Sequence, residues 1–165
     1  MNTIDFIKAS LANSSNMTLA LINDLKDEPL AQPTSKGGNH ALWILGHIAH
    51  TESSILHNFI LGKETCPLDT LKEQFEYKTE PSTDADYPTF DELMAHYESA
   101  HAELLAYIET ISEEDLDKPI ECPEEWKPFF GTIGLCLGMC AMHPAFHYGQ
   151  LADIRRSLGR KPLMA

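Results

Sequence analysis

The sequence predicts an all-α protein built as one four-helix bundle. Three observations lead there. Apolar residues recur at spacings of three and four in four long segments, and no segment alternates in the manner of a strand. Two connections rich in acids, prolines and turn formers separate the later helices. A chain of 165 residues that is 43% hydrophobic supports one sizeable core, with no room for two full domains. Helices of about 22 residues are about 33 Å long, the dimension of a four-helix bundle, whose interior is a common place for metal sites.

The first helix is expected over residues 3–26, where Ile4, Ile7, Leu11, Leu19, Ile22 and Leu25 lie on or near one stripe before Pro29 and Pro33 break the chain. The second is announced by Gly37-Gly38-Asn39, with Asn39 as N-cap, and carries Trp43, Ile44, His47, Ile48, Ile55 and Phe59 until Gly62. Residues 62–88 form a long connection with one short helical turn near 71–75, the kind of loop that makes a lid or the wall of a site. The third helix opens on the capping-box pattern Thr89-x-x-Glu92 and ends near Ser112. A second irregular stretch, 113–130, holds Pro119, Pro123 and Pro128. The fourth helix is expected over 132–158, with Gly159 after its end. Pro144 inside it removes a backbone donor and clashes with the carbonyl of Cys140, so a kink or bulge is expected there. Connections of this length also permit crossovers between parallel helices.

Charge excludes some partners. The formal net charge of −13 disfavours phosphate backbones and anionic lipid, which clustered Lys and Arg recognise. The acidity is local, because residues 63–125 hold 19 acids and 4 bases. The second and fourth helices carry only Glu52 and Asp153, which favours a histidine site over a carboxylate one. Residues 129–152 contain no Asp, Glu, Lys or Arg and include a Gly134-x-x-x-Gly138 pair, yet His143, Pro144, His147 and Gln150 fit a buried bundle helix better than a membrane span. Cys66, Cys122, Cys136 and Cys140 form no Cys-x-x-Cys, and no leader pattern follows Met1, so a reducing, cytoplasmic setting is expected.

Placement distinguishes the eight histidines. His143 and His147 lie one turn apart on one helix face, a spacing at which two imidazoles reach one ion. His40 and His47 share a face of the second helix with Trp43 between them, and His50 lies about 60° around from His47. His101 falls in the apolar stripe of the third helix and His96 falls off it. His40, His50, His57 and His96 read as packing or hydrogen-bonding residues. Adding His47 to His143 and His147 gives three neutral imidazoles from two helices, a ligand set that leaves a coordination position for water or substrate. Cys136 and Cys140, on the same helix face as His143 and His147, are rival ligands or simply small buried residues.

The segments Trp43-Ile-Leu-Gly-His47-Ile-Ala-His-Thr-Glu52 and His143-Pro-Ala-Phe-His147-Tyr-Gly149-Gln150-Leu, followed by Arg155-Arg156 and Leu158-Gly159, resemble the DinB-like (DinB/YfiT) superfamily of small bacterial metal-binding proteins. The resemblance implies a four-helix bundle of up-down-down-up topology, frequently a homodimer. It also implies a divalent ion, nickel or zinc, bound by His47, His143 and His147. Some members of that superfamily transfer or isomerise with low-molecular-weight thiols, and others are described as metal-dependent hydrolases.

In an enzyme of this kind the ion acts as a Lewis acid on a water or a small thiol. His101 and His50 are candidates for carrying a proton, or for packing. Gln150, one turn past His147, either orients a ligand imidazole or bridges helices. Glu52 points away from His47 and suits an interhelical bond. Arg155, Arg156, Arg160 and Lys161 either meet a small anionic substrate or complement the negative end of the fourth helix. Two alternatives stand beside catalysis: a non-catalytic metal-binding or stress-related dimer, and a structural dimer whose histidines only pack.

Overall fold

The computed structural model describes residues 1–35 and 37–163. Among the described residues the elements are all helical, and one isolated antiparallel bridge joins Pro119 to Thr132. Helix α1 (Thr3–Asp24) is capped by the Asn2 side chain, which accepts from Asp5 N at 2.8 Å, and it buries Ile7, Leu11, Leu21 and Ile22. Helix α2 (Ala41–Ser54) begins one residue later than the turn chemistry predicts. Its cap is His40 and not Asn39: the imidazole Nδ1 accepts from Trp43 N at 3.1 Å, as a capping carboxylate or amide oxygen would. A six-residue π-helical extension, Ile55–Ile60, carries α2 to Gly62, whose φ of +63° ends it.

Within the long connection a 3₁₀ turn at Asp69–Leu71 leads into the short α3 (Lys72–Phe75), close to the expected helical turn. Helix α4 (Phe90–Ile108) opens on the expected capping box, with Thr89 N donating to Glu92 Oε2 at 2.8 Å. After the short α5 (Lys127–Phe130), helix α6 (Ile133–Ser157) runs to Gly159, at φ +74°. It passes through Pro144 as continuous α-helix, so the bulge expected there is absent, and the π-helical irregularity lies at the end of α2 instead. Thr18 Oγ1 of α1 donates to the Pro144 carbonyl at 3.0 Å.

Helix α1 packs along α6 and α2 along α4. Thr18 meets Pro144 and Asp24 meets Arg155, so α1 and α6 run in the same direction. Lys8 reaches Glu109 and Ile4 N reaches Glu113, which sets the start of α1 against the end of α4. Glu52 on α2 bonds His101 on α4 at 2.7 Å, and His57 lies 3.2 Å from Glu103. The last two pairings advance together along both helices, so α2 and α4 run in the same direction. Two apolar clusters fill the bundle, one around Ile44, Ile48, Phe75, Leu93 and Tyr97 and one around Leu11, Leu56, Leu104 and Leu137. No helix among the described residues is long and apolar enough to cross a membrane. The uncharged run of α6 buries Ile133, Cys136, Leu137, Cys140 and Ala141 inside the bundle.

The basic C-terminus has a structural occupation. Arg155 Nε donates to Asp24 Oδ2 at 2.8 Å, and Arg160 binds Asp24 and Glu28 together. These bonds tie the end of α6 to the end of α1, so Arg155 and Arg160 are engaged within the chain.

Candidate metal centre

Helices α2 and α6 bring together the three histidines that spacing singles out. Their candidate ligand atoms all lie within 4.8 Å of one another, the group of this kind found among the described residues. His143 Nε2 is 3.1 Å from His47 Nε2 and 3.2 Å from His147 Nε2. The three rings stand nearly edge to face, with centroids 4.8 to 5.1 Å apart.

The outer nitrogens fix the tautomers. His47 Nδ1 lies 2.7 Å from the Phe75 carbonyl and can only donate to it. His147 Nδ1 lies 2.8 Å from Gln150 Oε1 and donates in the same way. While these two bonds are made, both neutral rings carry their proton on Nδ1 and a lone pair on Nε2, and both lone pairs face His143. Lone pairs at this separation repel unless a proton or cation lies among them. One cation satisfies all three nitrogens at once, which a single proton does not. Metal–imidazole bonds of about 2.0–2.1 Å put ligand nitrogens roughly 2.9–3.4 Å apart between right-angled and tetrahedral geometry, and the two short separations lie in that window. The residues present thus fit a divalent ion.

Burial reinforces the assignment. It pushes His47 down to about 4 and His143 to about 2, and it lowers His147 as well. All three are therefore neutral at physiological pH, the form that ligates. His47 and His147 are buried as whole residues and His143 is half-buried, yet burial lowers the His143 imidazole further than that of His47.

The surroundings hold each ring in place. Trp43 stacks on His47 with centroids 4.5 Å apart and planes 12° from parallel. Its own Nε1–H donates to the Gln74 carbonyl at 2.9 Å and reaches Thr79 Oγ1 at 3.2 Å. Gly46 lets the Phe75 ring lie against α2, since a Cβ there would collide with that ring. Gln150 Oε1, which accepts from His147, also accepts from Asn39 Nδ2 at 3.2 Å, so Gln150 both orients an imidazole and bridges to the start of α2.

The other candidates lie elsewhere. His50 is buried, and the charges that act on it are Glu76, Asp69 and Lys72, in the turn that includes α3. His101 bonds Glu52, buried to 3% exposure, and stacks on Tyr97; the carboxylate raises His101 against the opposing pull of burial. Cys136 and Cys140 stay outside the histidine group, and burial pushes Cys136 up to about 12 and Cys140 upward too, which keeps both thiols protonated and apolar. Three contributors are not apparent from motif spacing: the Phe75 carbonyl, Asn39 as partner of Gln150, and Trp43 as the stacked shelf. For Trp43 a signal existed, since Trp-x-x-Gly-His places the indole one turn before the ligand.

A helical bundle that gathers three neutral imidazoles, two of them locked with their lone pairs inward, offers a group that could hold a metal ion. The chain belongs to the DinB superfamily, whose sequence profile matches residues 10–151. No curated protein sequence matches it. Among solved structures, a conserved protein from Enterococcus faecalis superposes with a TM-score of 0.71 at 16% identity, over 97% of this chain and 99% of that one. At that identity the likeness establishes the fold alone.

Proposed function

We propose that this chain binds a divalent transition-metal ion, nickel or zinc, through Nε2 of His47, His143 and His147. We further propose that it acts on a small-molecule substrate, as a metal-dependent hydrolase or as a transferase using a low-molecular-weight thiol. The observation that carries the reading is the convergence of the three Nε2 atoms, two of them with lone pairs fixed inward by Phe75 and Gln150. The ion, when bound, supplies Lewis acidity that brings the pKa of a water or thiol toward neutrality. Three protein ligands leave coordination room for a water or substrate. The chain's own residues then do the positioning. Phe75 and Gln150 aim the imidazoles, and the stacked Trp43 backs His47 with an apolar plane.

The test begins with metal analysis of untagged protein. One ion per chain is expected, with loss on replacing any of the three histidines. Absence of bound nickel and zinc after loading overturns the site. A panel of esters, amides and thiol-plus-electrophile pairs then compares loaded with chelated protein, and turnover indifferent to chelation overturns the metal's role.

We also propose a homodimer in a reducing, cytoplasmic setting. Phe6 and Met17 on α1 and Leu135, Met142 and Phe146 on α6 are exposed on two helices that pack together. Most of the acids behind the net charge of −13 lie in residues 63–125, outside these two helices, so like-charge repulsion between copies is weaker across α1 and α6. The four free cysteines support the setting.

A further inference from the structure

The connection between α2 and α4 is fastened to the metal centre by a row of side-chain donors. His40, Trp43 and His47 follow one another along one stripe of α2. Each gives an N–H to a main-chain carbonyl of the connection: His40 Nε2 to Ser82 at 3.2 Å, Trp43 Nε1 to Gln74 at 2.9 Å and His47 Nδ1 to Phe75 at 2.7 Å. The Phe75 ring is fully buried against Gly46, and Tyr87 packs on both Phe75 and His40. Between Glu76 and Tyr87 the connection has no helix or strand of its own, so its order depends on these attachments.

We propose that residues 72–87 form a strap whose docking is coupled to occupancy of the three-histidine site. The inference rests on the metal reading above and concerns this segment's response to it. The link is the His47 proton. The bond to Phe75 requires that proton on Nδ1, and an ion on Nε2 requires the same. Without an ion, the neutral ring has a second choice. With the proton on Nε2 it donates to His143 Nε2, 3.1 Å away, and presents a lone pair to the Phe75 carbonyl. That tautomer forfeits the central attachment of the strap at no change in charge. An ion removes the alternative, so ion and strap select one state, and each strengthens the other by the same factor.

Amide hydrogen exchange on the full chain, zinc-loaded against chelator-stripped, reads the coupling. Removing zinc is expected to speed exchange of amides in 72–87 by about tenfold or more, while amides in the middle of α1 and α4 keep their rates. Equal rates in the strap overturn the proposal, and so does an equal acceleration everywhere, which reports only global stability. The reciprocal arm uses Thr79→Val and Phe75→Ala, which weaken the docking and leave all three ligands in place. Zinc affinity by calorimetry is expected to fall about three- to tenfold in at least one of the two. Unchanged affinity in both, with circular dichroism reporting an intact fold, overturns the coupling. If zinc binds and both arms are flat, only the strap proposal falls. If neither zinc nor nickel binds, the metal reading falls and takes this one with it.

Discussion

Gln150 shows how much a single side chain can hold. Its Oε1 accepts from His147 Nδ1–H on one side and from the Asn39 amide on the other, so one oxygen sets a tautomer and joins α6 to the start of α2. Partners of ligand imidazoles typically contribute 10–100-fold to metal affinity, so Gln150→Ala is expected to weaken zinc binding by about that factor, read by calorimetric titration, with little change in melting temperature. The Glu52–His101 pair belongs to stability instead. His101 is raised by the carboxylate beside it, so the folded chain keeps that proton to higher pH than the unfolded chain does. The pair's contribution therefore fades as pH rises through the raised imidazole value, and it ends on the acid side where Glu52, raised by burial, protonates. Urea denaturation should show a larger loss in His101→Gln at about pH 6 than at about pH 9.

At the scale of elements, the packing of α3 on α2 explains why glycine precedes the ligand. Gly46→Ala places a methyl group into the Phe75 ring, and an overpacked core of this kind costs about 1–3 kcal/mol in thermal or chemical unfolding. Zinc affinity should fall with it, because the Phe75 carbonyl moves with its ring. These elements also show what the sequence makes readable. The candidate ligands are legible because helical periodicity puts His143 and His147 one turn apart, and because His47 occupies an uncharged stretch. The four long helices are legible from their stripes, and the capping box of α4 from two residues. The Phe75 carbonyl is not legible, since every residue carries one and only the fold decides which meets an imidazole. Nor is the exchange of Asn39 for His40 as cap, because both side chains offer an acceptor and tertiary contacts decide between them. The π-helical turn at Ile55–Ile60 likewise has no mark in the apolar pattern.

Across the whole molecule, charge is uneven along the chain: the acids concentrate in residues 63–125, while α1 and α6 expose Phe6, Met17, Leu135, Met142 and Phe146. Light scattering is expected to report a dimer, and Phe146→Glu, which sets a carboxylate at a position 61% exposed, is expected to shift it toward monomer while leaving the helical spectrum unchanged. A monomeric parent chain overturns the assignment of that face. Of the four basic residues near the C-terminus that the sequence offers to an anionic substrate, Arg155 and Arg160 hold the end of α1 through Asp24 and Glu28.

The stacking of Trp43 on His47 has a practical consequence: it places an optical reporter against the candidate ion. The only other indole, Trp126, sits in an aromatic group with Phe59 and Phe130, so Trp126→Phe leaves a single emitter beside the site. Open-shell nickel quenches a nearby indole, whereas zinc, with its filled d shell, has no low-lying d–d states to do so. Emission from Trp43 should therefore dim on nickel and persist on zinc, so one residue can report filling by nickel and separate it from filling by zinc.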